Sequence, residues 1–247
     1  LFVKQLGYSE AQSFYVFGSF QSFVYGFVWL GGWLGDNYFG SKRTMLLGTV
    51  ILTLSYGYLA IANSHTIFYA LAGIVVGNTL FKANPTSLIS KMFAKGDPAL
   101  DSAMTLYYMA VNIGSMFSMA LTPIIAERYG WYEAFGICSC GLILGLLNYL
   151  VSGKILDAIT LGADLKPFSW GRLSGILLVS AIATLLIAQL LNHAQICNVI
   201  VYIVVSAAFL YFIKLSFSYR GLERQRMLVA LVLIVQAVLF FVLYNQM

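Results

Sequence analysis

Charge is what this sequence has least of. Only 9% of its 247 residues are Asp, Glu, Lys or Arg, against 60% hydrophobic. The mean hydropathy is +0.85. A soluble domain of this length carries roughly 25% charged residues, so that class is excluded and an integral membrane protein is indicated. Histidine is nearly absent: His65 and His193 fall in separate polar turns, with no metal partner at ligand spacing. The three cysteines, Cys138, Cys140 and Cys197, have no CxxC spacing and read as packing residues. No His, Asp or Glu occupies a mid-span position, which argues against an intramembrane enzyme; no catalytic residue, metal or cofactor is expected. Alternation of polar and apolar residues is also missing. The apolar runs are continuous and about twice the length of a barrel strand, so helices are expected instead.

What is present is a series of apolar segments of roughly 20 residues, the length that crosses a ~30 Å hydrocarbon core. They fall at about 11–34, 44–62, 66–90, 102–126, 132–153, 171–191, 196–217 and 224–247. Gly31-Gly32 suits close helix packing in lipid, where small residues let backbones approach. Ser9 is the expected N-cap of the first helix. Of the 14 Lys and Arg residues, Lys42, Arg43, Lys91, Lys95, Lys154, Lys166, Arg172, Lys214, Arg220, Arg224 and Arg226 gather on one side. Lys4 and Arg128 alone mark the other. The positive-inside bias places the first group in the cytoplasm, so the net charge of +5 is a topology signal and needs no nucleic-acid partner. Leu1 is no initiator and the last apolar run has no polar boundary, so the chain is expected to be a fragment of a longer protein.

One charge breaks this pattern. From Thr66 to Ser90 the sole ionisable cation is Lys82, in the stretch Gly77 to Ser90, with Pro85 removing a backbone donor close by. An ammonium at bilayer depth costs a few kcal/mol and so points to a functional site, unless the side chain merely snorkels to the headgroups. Lys82 and Asn112 lie ~14 and ~16 Å from the cytoplasmic boundary along their helices, and Tyr25 lies ~16 Å from Asp36. Tyr108 is one turn from Asn112 on the same face. Each phenol or amide could be interhelical glue, but four polar groups on three helices at one depth suggest a shared midplane site. At the helix turn, Asp36 with Lys42 and Arg43 offers a carboxylate and a basic pair that can form ion pairs and helix-dipole contacts, which would gate one side. The alternative there is a solvated turn.

Gly32-Trp33-Leu34-Gly35-Asp36-Asn37-Tyr38-Phe39-Gly40-Ser41-Lys42-Arg43 resembles the cytoplasmic loop between the second and third helices of major facilitator superfamily transporters. It has one more residue between the Asp and the second Gly than the commonest form. Phe81-Lys82-Ala83-Asn84-Pro85, Asp97-Pro98, and Thr105 to Ser115 (TLYYMAVNIGS) are similar to the proton-dependent oligopeptide transporter family, bacterial di- and tripeptide permease branch. Met104 departs from the usual aromatic or Thr. The resemblance covers nearly the whole chain. It implies an all-α membrane protein with the major facilitator helical bundle, present as a fragment of about eight transmembrane helices. Residues 1–153 would be the N-terminal bundle without its first helix. Residues 154–219 would be a connector and a two-helix transmembrane insertion, and residues 220–247 the truncated first helix of the C-terminal bundle.

The function implied is proton-coupled symport of di- and tripeptides across the inner membrane, with peptide, protons and the lipid bilayer as partners. The resemblance assigns Lys82 to the peptide carboxylate and to proton coupling, Asn112 to its amide or amine, and Tyr25 and Tyr108 to the cavity wall. Asn245 falls where some members carry a glutamate that partners the lysine, and it joins the substrate-binding set. Two other readings stay open: a carrier of another anionic or zwitterionic solute such as nitrate or an amino acid, and a non-transporting membrane interaction subunit.

Overall fold

A computed structural model of the chain describes residues 2, 3, 6–94, 96–153 and 162–244. Within the described residues, each of the eight expected spans coincides with helix. The helices are α1 (Glu10–Gly26), α2 (Val28–Trp33), α3 (Ser41–Leu59), α4 (Ile67–Phe81), α5 (Asn84–Lys91), α6 (Ala99–Arg128), α7 (Trp131–Val151), α8 (Trp170–Asn192), α9 (Ala194–Ser218) and α10 (Gly221–Tyr244). Among the described residues, 6 helices are long and apolar enough to cross a membrane, with α4 and α5 counting as one. Helix α1, broken after 17 residues, and α3, which opens with Lys42 and Arg43, are not among them. Two compact units are present, Leu1–Gln195 and Ile196–Met247.

The first span is not one straight helix. Ser9 caps α1 as expected: its Oγ accepts from the Gln12 amide, and the Gln12 side chain accepts from the Ser9 amide. The helix breaks at Phe27, beside Gly26, and resumes as α2. It then continues as a π-helical segment, Leu34–Phe39, through residues that read as a loop in the sequence. Gly40 ends it at φ 100, a conformation that favours glycine.

In the first unit α4 is the axis. It contributes eleven buried residues, including Ile67, Ile74 and Val75, whereas α6 and α7 are mostly exposed apolar surface suited to lipid. In a bilayer, burial removes no water, so this core is held by close packing and interhelical hydrogen bonds. Small residues make the approach possible. A Cβ on Gly31 would collide with the Thr79 carbonyl, and one on Gly48 would stand 2.9 Å from the Gly77 carbonyl and 2.7 Å from the Phe81 amide. On the other side of α3, Ser139 donates to the Thr53 carbonyl at 2.9 Å and Tyr149 to the Lys42 carbonyl at 3.1 Å, which fixes α7. Helix α8 packs on α4, burying Ile187, Ala188 and Leu191 in the same core.

The α3–α4 hairpin turns at Asn63, whose Oδ1 accepts from the His65 and Thr66 amides. Ser64 and Asn192 are exposed, as is Leu165 at the opposite boundary. With the charge bias setting orientation, a single cysteine at Ser64 or Asn192 reacts with an impermeant maleimide in intact cells, and one at Leu165 reacts only after lysis. The reverse pattern inverts the topology.

In the second unit, Arg224 lies over the Phe217 ring at 5.3 Å and Arg226 pairs with Glu223 at 3.0 Å. The basic start of α10 is thus held locally, as its exposed position allows.

Candidate functional site

Both helix breaks fall at the same place. Phe81 ends α4, Lys82 and Ala83 form a turn, and Pro85 sits in the first turn of α5, where its missing N–H costs least. Tyr25 occupies the last turn of α1, just before the Phe27 break. The Lys82 ammonium lies 3.5 Å from the centroid of the Tyr25 ring, a cation–π contact across the two breaks. Lys82 is half-buried and Tyr25 exposed, so the cation has turned to an aromatic face that remains accessible.

Asn84, part of the Phe81 to Pro85 motif but outside the expected site residues, ties the breaks together. It is fully buried, and its amide donates to the Leu80 carbonyl at 2.6 Å and the Gly31 carbonyl at 3.3 Å. The link joins α2 to the α4–α5 junction and fixes Lys82 against Tyr25. Asn84 Oδ1 has no hydrogen-bond partner among the described residues and lies against Gly35, where any Cβ would overlap it.

Tyr108 and Asn112 share one face of α6 and are exposed; Tyr108 makes an edge contact with Tyr107 at 5.6 Å. Among the described residues, no hydrogen bond or ring contact joins them to Lys82 or Tyr25. The structure therefore brings together Lys82 and Tyr25 and leaves Tyr108 and Asn112 on a neighbouring helix. Asn245 lies outside the described residues.

At the turn before α3, Asp36 faces Lys91 at 3.0 Å and also accepts from Ser87 at 2.8 Å and Ser41 at 3.2 Å. Lys91, which the sequence marks only as a topology residue, is the partner of Asp36. The Arg43 guanidinium donates to the Lys166 carbonyl at 2.9 Å and stands 5.9 Å from the Phe168 ring. The backbone amides of Ser41 and Lys42 donate to Asp164 at 3.2 and 3.1 Å, so a residue from the connector caps α3 where Gly40 has no side chain to do so. No sequence signal announces Asp164 beyond that empty cap.

Partial burial pushes the Asp36 carboxyl up, but hydrogen bonds from Lys91, Ser87 and Ser41, with the Lys91 charge, outweigh it and leave it below its ordinary value of 3.8. A carboxylate so depressed adds stability above its ordinary pKa and loses it as pH falls through the lowered value. Asp36→Asn accordingly lowers the unfolding midpoint at pH 7 by a small amount, and the gap to the parent closes at strongly acidic pH. A gap unchanged with pH contradicts the ion-pair account.

A family model, POT family, matches residues 41–247. The chain belongs to the POT family. Dipeptide and tripeptide permease B of Aeromonas hydrophila is 42% identical over 248 residues, covering 100% of this chain and 50% of that protein. Dipeptide and tripeptide permease A of Pectobacterium carotovorum is 43% identical, covering 99% and 49%. A solved structure described as giving insights into substrate recognition in proton dependent oligopeptide transporters superposes with a TM-score of 0.88 at 36% identity, over 99% of this chain and 55% of that one. Tetrameric PepTSo2 gives 0.86 at 36% identity. The chain thus spans about half the length of the POT family relatives it matches.

Proposed function

We propose that the protein to which this chain contributes is a proton-coupled symporter of di- and tripeptides, working by alternating access in the inner membrane. The observation that carries the reading is the Lys82 ammonium over the Tyr25 ring at two adjoining helix breaks. A zwitterionic peptide needs a cation for its carboxylate, and a lysine at this depth is costly to keep unless it meets water, a polar partner or such a ligand. Relatives named dipeptide and tripeptide permease support the substrate class. In this reading Lys82 takes the peptide carboxylate and responds to protons, Asn112 and Asn245 meet the peptide's polar groups, and Tyr25 and Tyr108 line the cavity. Asp36, Lys42 and Arg43 belong to the cytoplasmic gate. Residues 1–153 serve as the first bundle, 154–219 as connector and insertion, and 220–247 as the start of the second bundle.

The test is competition. Uptake of a labelled dipeptide by the full-length protein, driven by an inward proton gradient, falls with excess unlabelled dipeptide and is unchanged by excess nitrate or free amino acid. Inhibition by nitrate or by amino acids at the same concentration would transfer the assignment to a different solute.

A further inference from the structure

Between α2, α4 and α8 runs an open groove of about 690 Å³, lined by Leu30, Trp33, Leu80, Ile176, Val179 and Ala183 among others, with no charged residue in its wall. At membrane depth such a groove is filled, because a void forfeits the dispersion contacts of its lining. Its cytoplasmic end is the informative part. Arg172 sits one turn before Gly175 and Ile176 on α8, with its guanidinium 5.8 Å from the ring of Tyr38, another groove residue. Arg172 makes no hydrogen bond or ion pair among the described residues. Two acids described at this end are already engaged: Asp36 with Lys91, and Asp164 with the Ser41 and Lys42 amides. Among the described residues the Lys166 ammonium donates to the carbonyl of Asn37, at 3.0 Å, and meets no carboxylate. Trp170 alongside is 77% exposed, an interfacial aromatic at headgroup level.

We propose that this groove is a binding site for an anionic phospholipid, with one acyl chain along α2, α4 and α8 and the headgroup phosphate on Arg172 and Lys166. An uncompensated guanidinium over an apolar slot between helices on the cytoplasmic side is the arrangement that suits an anionic headgroup and its tail. Polypeptide from outside this chain is the competing occupant, and a cross-link from the groove wall separates it from lipid.

Native mass spectrometry of the full-length protein with added phosphatidylglycerol or phosphatidylcholine tests this. The parent retains phosphatidylglycerol about fivefold more than phosphatidylcholine, and Arg172→Gln removes the preference. Gly175→Phe removes both lipids by filling the groove, since a Cβ at Gly175 meets nothing within 4 Å. Should that variant fold poorly, quenching of Trp33, as the only tryptophan, by brominated phosphatidylglycerol reads the same site in the parent and in Arg172→Gln. Equal phosphatidylglycerol retention by parent and Arg172→Gln overturns the proposal. So does a cysteine at Gly175 that cross-links to another segment of the protein or to a second copy, which assigns the groove to polypeptide.

Discussion

Replacing Lys82 by alanine in the full-length protein lowers proton-driven dipeptide uptake by about 30- to 140-fold and leaves membrane expression within about twofold of the parent. The rate loss follows from removing a charge-assisted contact of roughly 2–3 kcal/mol to the substrate carboxylate, where each ~1.4 kcal/mol is tenfold. Expression is spared because the side chain contacts a ring and, among the described residues, holds no ion pair. Lys82→Arg is a sharper probe. It keeps the charge but spreads it over a planar fork that does not release its proton, so peptide binding survives better than proton coupling. Uptake of Lys82→Ala near the parent level would reduce Lys82 to a snorkelling cation. Assay of both variants in proteoliposomes, with the proton gradient imposed and then collapsed, separates binding from coupling.

Gly31→Leu produces the largest structural effect. A Cβ there collides with the Thr79 carbonyl and stands 3.2 Å from the Leu80 Cα, both backbone atoms that cannot rotate away. The two helices must separate, which also pulls the Gly31 carbonyl from the Asn84 amide. Overpacking of this kind costs about 1–3 kcal/mol and more where backbone must move, so the unfolding midpoint in detergent drops by several degrees or the protein fails to accumulate. Gly145→Ala, on α7 with nothing within 4 Å of the added atom, is the matched control and changes the midpoint little. Equal effects at the two sites would contradict the packing account of α4.

The apolar runs made the helices legible, since a continuous stretch of about 20 residues has one stable form in lipid. The breaks were only half legible. Pro85 flagged the α4–α5 junction, but nothing comparable marks Phe27, and the π-helical Leu34–Phe39 segment reads as loop because Gly35, Asp36 and Asn37 have turn-like composition. At the site, Lys82 stood out by its charge and Tyr25 by its depth along the helix; the structure puts the ammonium 3.5 Å from that ring. Depth alone says nothing of rotation about a helix axis, so it could not tell whether Tyr108 and Asn112 contact Lys82. Partners distant in sequence escaped entirely: Lys91 is 55 residues from Asp36, and Asp164 is 123 from Ser41. Asn84 escaped for another reason. A buried amide in an apolar helix looks the same in sequence whether it bridges two helices or caps its own.

The central claim is that Lys82 receives the carboxylate of a bound peptide, and a double-mutant cycle on both partners tests it most directly. Binding of a dipeptide and of its C-terminal amide is measured by calorimetry on the full-length parent and on Lys82→Ala. The account predicts that amidation weakens binding to the parent by about 10–100-fold and has almost no effect on Lys82→Ala, the non-additivity expected of groups in contact. Amidation that costs the same in both proteins would place the carboxylate elsewhere and contradict it.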